Sequence, residues 1–349
     1  MRCLTLADAL KQQGAQIRFV SRRMPEQLRE LIVAKGHQFA SFNNRPSEGT
    51  TDKLLHSPLF GSSQDQDATE TIQVLSDQTW DWMVVDHYAL DADWESAMRP
   101  EVGKIMVIDD LADRLHDCDL LLDQNLYDEL ERRYDGLVPD HCEKLLGPRY
   151  ALLRPEFAAA RKTLRHRDGR VRSIFVFFGG SDLSNETAKA LEAIRLLNRT
   201  DIVVDVVVGA SNPKGDRIRE ICQRMPNTRF HRQVVNIAEL MALADLAIGA
   251  GGTTTWERCC LGLPTLALVL ADNQREIVEA MSAAGAMRNV GWHAEVTSSR
   301  LAEAIRVALA SPDYLNAMSE RSFAIMGGRG GASGVERISD RLTRPHADS

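Results

Sequence analysis

The stretch that decides the fold is GAGGTTTWERCCLGLPTLALVLADNQ, residues 249–274. The apolar run at 245–248 predicts a strand that leads into its glycine cluster, and a second apolar strand follows and ends at 271–274. Between the two strands, three threonines open a helix that carries Glu257 about one turn from its start. Strand, glycine turn, helix and strand in this order are typical of a parallel α/β sheet.

This pattern also suits a nucleotide diphosphate. Glycines let backbone N–H groups approach a ligand closely, and the start of a helix adds unpaired N–H donors and the positive end of its dipole. The two carboxylate oxygens of Glu257 can accept hydrogen bonds from the vicinal hydroxyls of a ribose. The simpler interpretations are an exposed helical glutamate and, for Thr253, Thr254 and Thr255, helix-capping hydroxyls.

The composition indicates a globular chain. Its 349 residues suffice for two domains, its apolar content of 44% allows a core, and its net charge of −7 argues against a dedicated nucleic-acid binder. The longest apolar run, 263–271, is strand-sized, and the first residues lack a signal-peptide pattern. The six cysteines have no zinc or CxxC spacing, which favours buried thiols in a reducing compartment. We therefore expect a cytoplasmic protein.

Apolar strands alternate with helices through both halves of the chain. The predicted strands are 17–20, 39–42, 82–85, 105–108, 120–122, 174–178, 203–208, 246–248, 266–269 and 286–290. A break near 147–155 divides them into two doubly wound, Rossmann-like α/β domains, 1–152 and 153–349. A polar loop is predicted at 43–67 and a last helix at 332–342.

The N-terminus departs from this pattern. Residues 1–12 predict an amphipathic helix, and a strand follows at 16–20. A doubly wound domain usually begins with a strand that lies centrally in its sheet, whereas this chain begins with a helix that has no N-cap residue before it. We expect the N-terminal domain to lack its first strand, with the missing segment encoded upstream of Met1.

A second glycine turn follows another strand, in FFGGSD at 177–182. A helix is predicted to open at Ser184 or Asn185. The turn is interpreted as a second backbone cradle for the diphosphate, formed around Gly180, with the Ser181 hydroxyl as a donor. The alternative is an ordinary strand-to-helix turn, and the presence of the first glycine loop favours the cradle.

Polar side chains follow other strands, where doubly wound sheets place their ligands. Asn273 and Gln274 can bond sugar hydroxyl and acetamido groups, although Asn273 also suits a plain turn. In the triplet after 82–85, Tyr88 is expected to line a sugar pocket. His87 could act as a base, but a structural hydrogen bond is favoured.

Two acidic pairs need separate interpretations. Asp109 and Asp110 end a strand and either flank the pocket or cap the following turn; both interpretations stay open. Asp91 and Asp93 match a metal-binding Asp-x-Asp pattern, but they lie in an acidic turn without compatible surroundings. We expect no metal site there and no other cofactor.

Several motifs together resemble the GT-B family of UDP-sugar enzymes, in particular its UDP-2,4-diacetamido-2,4,6-trideoxy-β-L-altropyranose hydrolases. The resemblance covers nearly the whole chain. It is carried, in order, by MRCLTLADAL at 1–10, VVDHYALD at 84–91, IDDLADR at 108–114, LLLDQN at 120–125, GPRYALLRPEF at 147–157, FFGGSD at 177–182 and GAGGTTTWERCCLGLP…ADNQ at 249–274.

The resemblance implies a GT-B fold whose interdomain cleft binds a UDP-sugar. It implies metal-independent hydrolysis of a UDP-linked 2,4-diacetamido-2,4,6-trideoxyhexose at the anomeric C–O bond, with inversion, in pseudaminic acid biosynthesis and flagellin glycosylation. The implied substrate-binding residues are Tyr88, Gly180, Ser181, Gly251, Gly252, Thr253, Glu257, Asn273 and Gln274. The implied partners are the UDP-sugar and other enzymes of the sugar pathway, without nucleic acid or stable membrane insertion.

The departure from the family concerns catalysis. In the family, a glycine-rich turn ending in Gly-His precedes the segment that is Met1–Cys3 here, and that histidine is understood as the general base for water. No residue of this chain stands at its position, so the catalytic group is unassigned, with His87 and Tyr88 as weak candidates. The rival predictions are an inverting, MurG-like UDP-sugar glycosyltransferase and a catalytically silent UDP-sugar-binding protein.

Overall fold

The structure is a computed structural model that describes residues 1–22, 24–42, 63–234, 236–328 and 333–343. The chain forms two compact units. The first unit comprises 1–125, 129–152 and 333–349, and the second comprises 126–128 and 153–332. Most of the predicted loop at 43–67 lies outside the described residues.

The second unit is built on one parallel sheet of six strands. They are β7 (Ser173–Phe177), β8 (Val203–Val208), β9 (Thr228–Arg232), β10 (Leu246–Ala250), β11 (Thr265–Val269) and β12 (Arg288–Trp292). Their order in the sheet is β12-β11-β10-β7-β8-β9. Every residue of β10 and of β11 is buried, as expected for strands that helices cover on both faces. The predicted doubly wound α/β architecture is therefore present.

Amphipathic helices cover this sheet. They are α5 (Pro155–Lys162), α6 (Glu186–Arg195), α7 (Gly215–Gln223), α8 (Ile237–Leu243), α9 (Thr254–Cys260), α10 (Arg275–Ala283), α11 (Ser298–Leu309) and α12 (Pro312–Ile325), with a 3₁₀ turn at Asp272–Gln274. Apolar residues of α6 and α11 pack with those of the strands in one core cluster. The sheet thereby gains a rigid carboxyl edge, from which the functional loops project.

The first unit contains two separate parallel sheets among its described residues. One pairs β1 (Arg18–Val20) with β2 (Gln38–Ala40), and the other has the order β3-β4-β5-β6. The strands of the larger sheet are β3 (Trp80–Val85), β4 (Val102–Ile108), β5 (Leu120–Asp123) and β6 (Glu143–Leu146). The helices are α1 (Arg2–Gln12), α2 (Glu26–Ala34), α3 (Gln64–Leu75), α4 (Ala92–Met98) and α13 (Gly334–Thr343), with 3₁₀ turns at Arg99–Glu101, Leu130–Arg132 and Pro148–Tyr150.

Helix α13 belongs to the first unit, although the sequence-based division placed it with residues 153–349. Its apolar side chains Val335 and Ile338 join a core cluster with Leu6 and Leu10 of α1. The chain therefore returns to its first unit after completing the second. Across the described residues, no helix is long and apolar enough to cross a membrane.

Candidate functional site

The two predicted glycine turns lie side by side. They follow β7 and β10, which pair directly, with Phe177 opposite Gly249. On its other side β10 pairs with β11, so the segment leading to Gln274 leaves the same edge of the sheet. Because carboxyl ends of parallel strands meet at one edge, three separate sequence motifs converge there.

The turn after β10 needs glycine for close packing. A side chain on Gly249 would begin 2.5 Å from the carbonyl oxygen of Phe177, and one on Gly251 would begin 2.1 Å from Cγ2 of Val278. The next glycine differs, because the nearest atom to a Cβ on Gly252 would be Nε2 of Gln274, at 3.6 Å. The first two glycines therefore let strand and helix approach closely, and Gly252 leaves open backbone at the turn.

A buried arginine supports this turn from behind. Nη2 of Arg258 donates to the carbonyl oxygen of Ala250 at 2.7 Å and to Oγ1 of Thr255 at 3.1 Å. Desolvation lowers the pKa of Arg258 to about 10, so the guanidinium still carries its positive charge at neutral pH. Sequence reasoning quoted this residue within its motif but assigned it no role.

Glu257 is held by a second arginine. Nη2 of Arg154 lies 3.3 Å from Oε1 of Glu257, whose side chain is 16% exposed, and Nη1 of Arg154 pairs with Glu156 at 2.8 Å. Burial raises the pKa of Glu257, while the charge of Arg154 opposes that rise. Glu257 is therefore an oriented, half-buried carboxylate rather than an exposed helical glutamate. The role of Arg154 was missed because 103 positions separate the partners.

Gln274 reaches the glycine turn, whereas Asn273 faces solvent. Oε1 of Gln274 accepts from the backbone N–H of Leu270 at 3.1 Å. This bond fixes the side-chain amide, and the distance from its Nε2 to the Gly252 position places the NH₂ group beside the turn. Asn273 is exposed in a 3₁₀ turn, so the two neighbours have different surroundings.

The turn after β7 has a different construction. Gly179 has a φ of 91°, which favours glycine, and Gly180 and Ser181 are exposed. The carbonyl group of Gly180 is held in place, because Oγ of Ser211 donates to its oxygen at 3.1 Å. Gly209 packs closely against the same oxygen, since a side chain at position 209 would begin 2.2 Å from it. The bracing residues follow β8 and were not predicted.

Asp182 caps the helix that follows. Its carboxylate accepts from the N–H groups of Glu186 at 2.8 Å and Thr187 at 3.0 Å. The helix opens where the sequence predicted, since α6 begins at Glu186 with Asn185 at its N-cap position, but the side chain of Asn185 makes no capping bond. Two donors at the start of α6 are therefore already bonded, which leaves Gly180 and Ser181 as the accessible part of this turn.

In the first unit, carboxylates follow the strands. The Arg2 guanidinium donates to the Asp86 carboxylate through Nη2 at 2.6 Å and through Nε at 3.1 Å. The same guanidinium lies 3.7 Å from the carboxylate of Asp110. Asp110 also accepts a hydrogen bond from the Tyr88 hydroxyl at 3.3 Å. Burial favours protonation of Asp86, but the hydrogen bonds and charge of Arg2 outweigh it and lower its pKa. Burial raises the pKa of Asp110 and brings that of Tyr88 to about 12.

The remaining candidates have structural partners. His87 accepts from the N–H of Ala89 through Nδ1 at 3.1 Å, in agreement with the favoured interpretation. Asp109 caps the turn through the N–H groups of Leu111 and Ala112 and contacts Arg114 at 2.9 Å. In the acidic turn, Asp91 also acts as a cap, because its carboxylate accepts a hydrogen bond from the N–H of Asp93. Within the described ranges, no group of His, Cys, Asp and Glu side chains could hold a metal ion.

A buried network lies deeper in the same unit. The Tyr134 hydroxyl lies 3.0 Å from both Asp109 and Asp123, and its single hydrogen can be donated to only one of them. Burial raises the pKa of Asp123 to about 7. The network therefore retains a proton that an exposed aspartate would have lost.

Comparisons with known proteins agree with this architecture. Residues 173–341 match the model of the glycosyltransferase family 28 C-terminal domain. The UDP-2,4-diacetamido-2,4,6-trideoxy-beta-L-altropyranose hydrolase of Campylobacter jejuni is 29% identical over 247 residues, which are 70% of this chain and 86% of that protein. The spore coat polysaccharide biosynthesis protein SpsG of Bacillus subtilis is 32% identical over 146 residues, 42% and 43% of the two chains. The resemblance inferred from the motifs is confirmed.

Solved structures confirm the GT-B fold. Acinetobacter baumannii MurG aligns with a TM-score of 0.64 and 13% identity over 98% of this chain and 94% of its own. LpCGTa, solved in complex with UDP, aligns with a TM-score of 0.64 and 14% identity over 98% and 96%. At these identities the likeness concerns the fold alone.

Proposed function

We propose that this chain binds a UDP-sugar at the carboxyl edge of the six-stranded sheet and hydrolyses it. One observation carries the proposal: two glycine turns follow directly paired strands, with Gln274 beside one of them and Glu257 on the helix that follows it. The proposed substrate is a UDP-linked 2,4-diacetamido-2,4,6-trideoxyhexose of pseudaminic acid biosynthesis. The similarity to the Campylobacter hydrolase supports this choice of sugar and of reaction.

The diphosphate would lie across the two turns. Backbone N–H groups at Gly252 and Thr253 would donate to one phosphate, and Gly180 with the Ser181 hydroxyl would donate to the other, whereas the N–H of Gly251 already donates to the Leu268 oxygen at 3.2 Å. These donors are fixed before the ligand arrives, so they need little reorganisation when negative charge builds on the leaving UDP. The buried charge of Arg258 favours the same anion from behind the turn.

Glu257 would accept hydrogen bonds from the ribose hydroxyls. Arg154 holds one carboxylate oxygen and so limits the rotamers of the side chain. Gln274 and Asn273 would contact the sugar, the former beside the glycine turn and the latter from solvent. The family resemblance also supports Tyr88 as a sugar contact.

The reaction breaks the bond between the anomeric carbon and the phosphate oxygen. A water oxygen attacks that carbon from the opposite face and loses a proton to a base, and UDP leaves with the electron pair. A general base that takes this proton typically accelerates such a reaction about 10²–10⁴-fold. The stabilisation of the leaving group rests on protein donors, and we expect chelators to leave the rate unchanged.

Incubation with the UDP-sugar alone tests the reaction. Release of UDP and free sugar in equal amounts, with inverted anomeric configuration by NMR, is expected for the hydrolase. Release of UDP only when a sugar acceptor is added would show glycosyl transfer rather than hydrolysis. Tight binding of the UDP-sugar without any release of UDP would show a binding protein instead of an enzyme.

Glycosyl transfer is the second candidate. The match of residues 173–341 to the glycosyltransferase family 28 C-terminal domain supports it. The two reactions differ in whether water or a sugar hydroxyl attacks the same carbon. The acceptor requirement therefore separates them without changing the proposed UDP site.

A further inference from the structure

Two cysteine thiols lie in contact inside the first unit. The sulfur atoms of Cys118 and Cys142 are 3.5 Å apart, and both side chains belong to the core cluster that also contains Leu121. Cys118 is fully buried, and Cys142 is 9% exposed. Because 24 positions separate them in the sequence, the contact is a product of the fold.

Other cysteines of the chain have different neighbours. The Cys3 thiol donates to the Asp86 carboxylate at 2.9 Å, and the Cys260 sulfur lies 3.7 Å from Nη1 of Arg161. Cys222 belongs to the apolar core of the second unit. A carboxylate, a guanidinium or an aliphatic side chain cannot form a disulfide with a thiol, whereas a second thiol can.

The backbone places Cys118 and Cys142 at a distance that suits a disulfide. Leu120 of β5 lies opposite Glu143 of β6, and the ladder continues by one step, because the N–H of Glu143 donates to the Asp119 oxygen at 3.0 Å. Cys142 therefore lies beside Asp119, and Cys118 is one residue farther along. With strands about 4.8 Å apart and a rise of about 3.3 Å per residue, their Cα atoms are roughly 6 Å apart. Disulfides span Cα separations of about 4.4–6.8 Å.

The two sulfur atoms need only a small movement to form a bond. A disulfide bond is about 2.05 Å long, so the sulfurs must approach each other by roughly 1.5 Å in total. Moderate rotation of both side chains about their Cα–Cβ bonds covers this distance. The strand backbone can therefore keep its place when the bond forms.

The two thiols differ in chemical character. The hydrogen bond between the sulfurs lowers the pKa of the Cys142 thiol and raises that of Cys118. The charge of Lys144 also lowers the pKa of Cys142, whereas burial and the charge of Asp119 raise it. Because the thiolate is the nucleophile in thiol chemistry, we expect Cys142 to react first and Cys118 to react second.

Cys142 is also the more accessible of the two thiols. It lies between the exposed residues His141 and Glu143. In the order β3-β4-β5-β6 of the described strands, β6 lies at the edge of its sheet, so its local opening breaks one ladder of hydrogen bonds. Such an opening admits a small neutral oxidant more readily than a bulky one.

We propose that Cys118 and Cys142 form a dithiol site that reacts with hydroperoxides, of which hydrogen peroxide is the simplest, and closes to an intramolecular disulfide. The site lies at the amino ends of β5 and β6. It is therefore at the opposite edge of the sheet from Asp86 and Asp109, which follow β3 and β4. The proposal concerns the first unit alone and is independent of the reaction with a UDP-sugar.

The reaction takes two steps. The Cys142 thiolate attacks one oxygen of hydrogen peroxide, the O–O bond breaks, and the departing hydroxide takes up the proton that the thiol had released. Cys142 then carries a sulfenic acid. The Cys118 sulfur attacks the Cys142 sulfur, the S–S bond forms, the S–O bond breaks, and the hydroxyl group leaves as water with the Cys118 proton. Two thiols lose two electrons and two protons, and the peroxide becomes two molecules of water.

The disulfide would close a covalent loop from Cys118 to Cys142. This loop contains Asp123 and Tyr134, whose side chains share a buried hydrogen bond of 3.0 Å. The cross-link restricts the unfolded chain and ties the edge strand β6 to β5 in the folded one. The oxidised first unit should therefore open less readily than the reduced one.

Peroxide treatment of the whole chain tests the proposal. The remaining thiols are alkylated in denaturant, and tryptic peptides are weighed by mass spectrometry. Trypsin cleaves after Arg114, Arg132, Arg133 and Lys144, so the two cysteines fall in the separate peptides 115–132 and 134–144. We expect these peptides to appear joined, with the loss of two hydrogen atoms, and the six free thiols of the chain to decrease by two. Dithiothreitol should restore all six.

Variants test the order of the two steps. In Cys118→Ala, the reaction should stop at the sulfenic acid of Cys142, which dimedone traps. In Cys142→Ala, the Cys118 thiol should stay unmodified. The matched control is Cys222→Ala, which removes a buried thiol of the second unit and should leave the rate of joining unchanged.

Thermal unfolding measures the effect of the bond on the fold. The oxidised chain should have a Tm about 5 °C above that of the reduced chain, and Cys118→Ala should show no such rise after peroxide treatment. An equal or lower Tm after oxidation would show that the fold does not accommodate the bond.

Three results of the peptide analysis would overturn the proposal. Six free thiols after a treatment that fully oxidises free glutathione would show that the pair does not react. Loss of all six thiols at one rate would show general oxidation of an unfolded chain. Joined peptides that derive from two copies of the chain, seen as a dimer on a non-reducing gel, would show an intermolecular bond instead.

Discussion

The carboxyl edges of the two units carry opposite chemistry. In the second unit, glycine turns expose backbone donors, and the buried cation Arg258 lies behind one of them. In the first unit, the strands are followed by the carboxylates Asp86, Asp109 and Asp110. Two edges of the same fold type therefore suit different ligand groups: phosphates at one, and hydrogen-bond donors such as hydroxyl groups at the other.

The largest effect is expected from the strand that supports the phosphate turns. Gly249→Ala places a methyl group 2.5 Å from the Phe177 oxygen, and that backbone atom cannot move without disturbing the β7–β10 pair. We expect a loss of about 3 kcal/mol in unfolding free energy, measured by urea titration. Gly252→Ala is the matched control, since its nearest neighbour would lie at 3.6 Å, and should cost less than about 1 kcal/mol. Equal losses would show that the close packing of β7 on β10 is unimportant.

The next effect concerns the ribose contact. Glu257→Ala should weaken UDP binding by about 2 kcal/mol, because hydrogen bonds to a charged oxygen are lost, as measured by calorimetry. Glu156→Ala removes the other carboxylate bound to Arg154 and should leave the dissociation constant within about threefold. Because burial raises the pKa of Glu257, UDP affinity should fall as the pH drops through that value, and Glu257→Gln should abolish this dependence. An unchanged affinity in Glu257→Ala would remove this carboxylate from the site.

A smaller effect is expected from the cation behind the turn. Arg258→Met should weaken UDP binding about tenfold, or about 1.4 kcal/mol, through lost electrostatic attraction and a less rigid turn. Arg167→Met removes another buried arginine of this unit, one that donates to the carbonyl oxygens of Ala244 and Leu261. This control should lower stability without weakening UDP binding in the folded protein. The same loss of affinity in both variants would mean that Arg258 acts through folding alone.

The smallest effect is expected from Asp123, a buried carboxylate of the first unit, on the pH dependence of stability. The pKa of Asp123 is about 7 in the folded protein, above its unfolded value, so the folded state binds more protons between these values. Stability should therefore fall as the pH rises, by about 1 kcal/mol between pH 6 and pH 8, and Asp123→Asn should flatten this slope in urea titrations. A rise of stability with pH that is lost in Asp123→Asn would contradict the assignment.

The sequence predicted the parts of the fold that hydrophobic runs encode. All ten predicted strands overlap observed ones, and both glycine turns lie where the motifs placed them. The two strands that were missed, Glu143–Leu146 and Thr228–Arg232, lie at sheet edges and carry charged residues, which hides their pattern.

Contacts between residues that lie far apart in the sequence could not be predicted from local sequence patterns. The bond from Arg154 to Glu257, the brace of Ser211 on Gly180 and the return of α13 to the first unit all depend on tertiary packing. The sequence predicted that a helix opens at Ser184 or Asn185, and it quoted Asp182 in its motif without giving it a role. Only the structure shows which carboxylate the helix uses.

The direct pairing of β7 with β10 fixes the distance between the two glycine turns that would bind the ligand. Neighbouring strands are about 4.8 Å apart, so the distance between the two turns is set by the main chain of the paired strands. A ligand with two linked anionic groups can span it, whereas a single phosphate reaches one turn at a time. Selectivity for the diphosphate would then depend on the backbone of the sheet. The surrounding side chains could change to accept other sugars without affecting it.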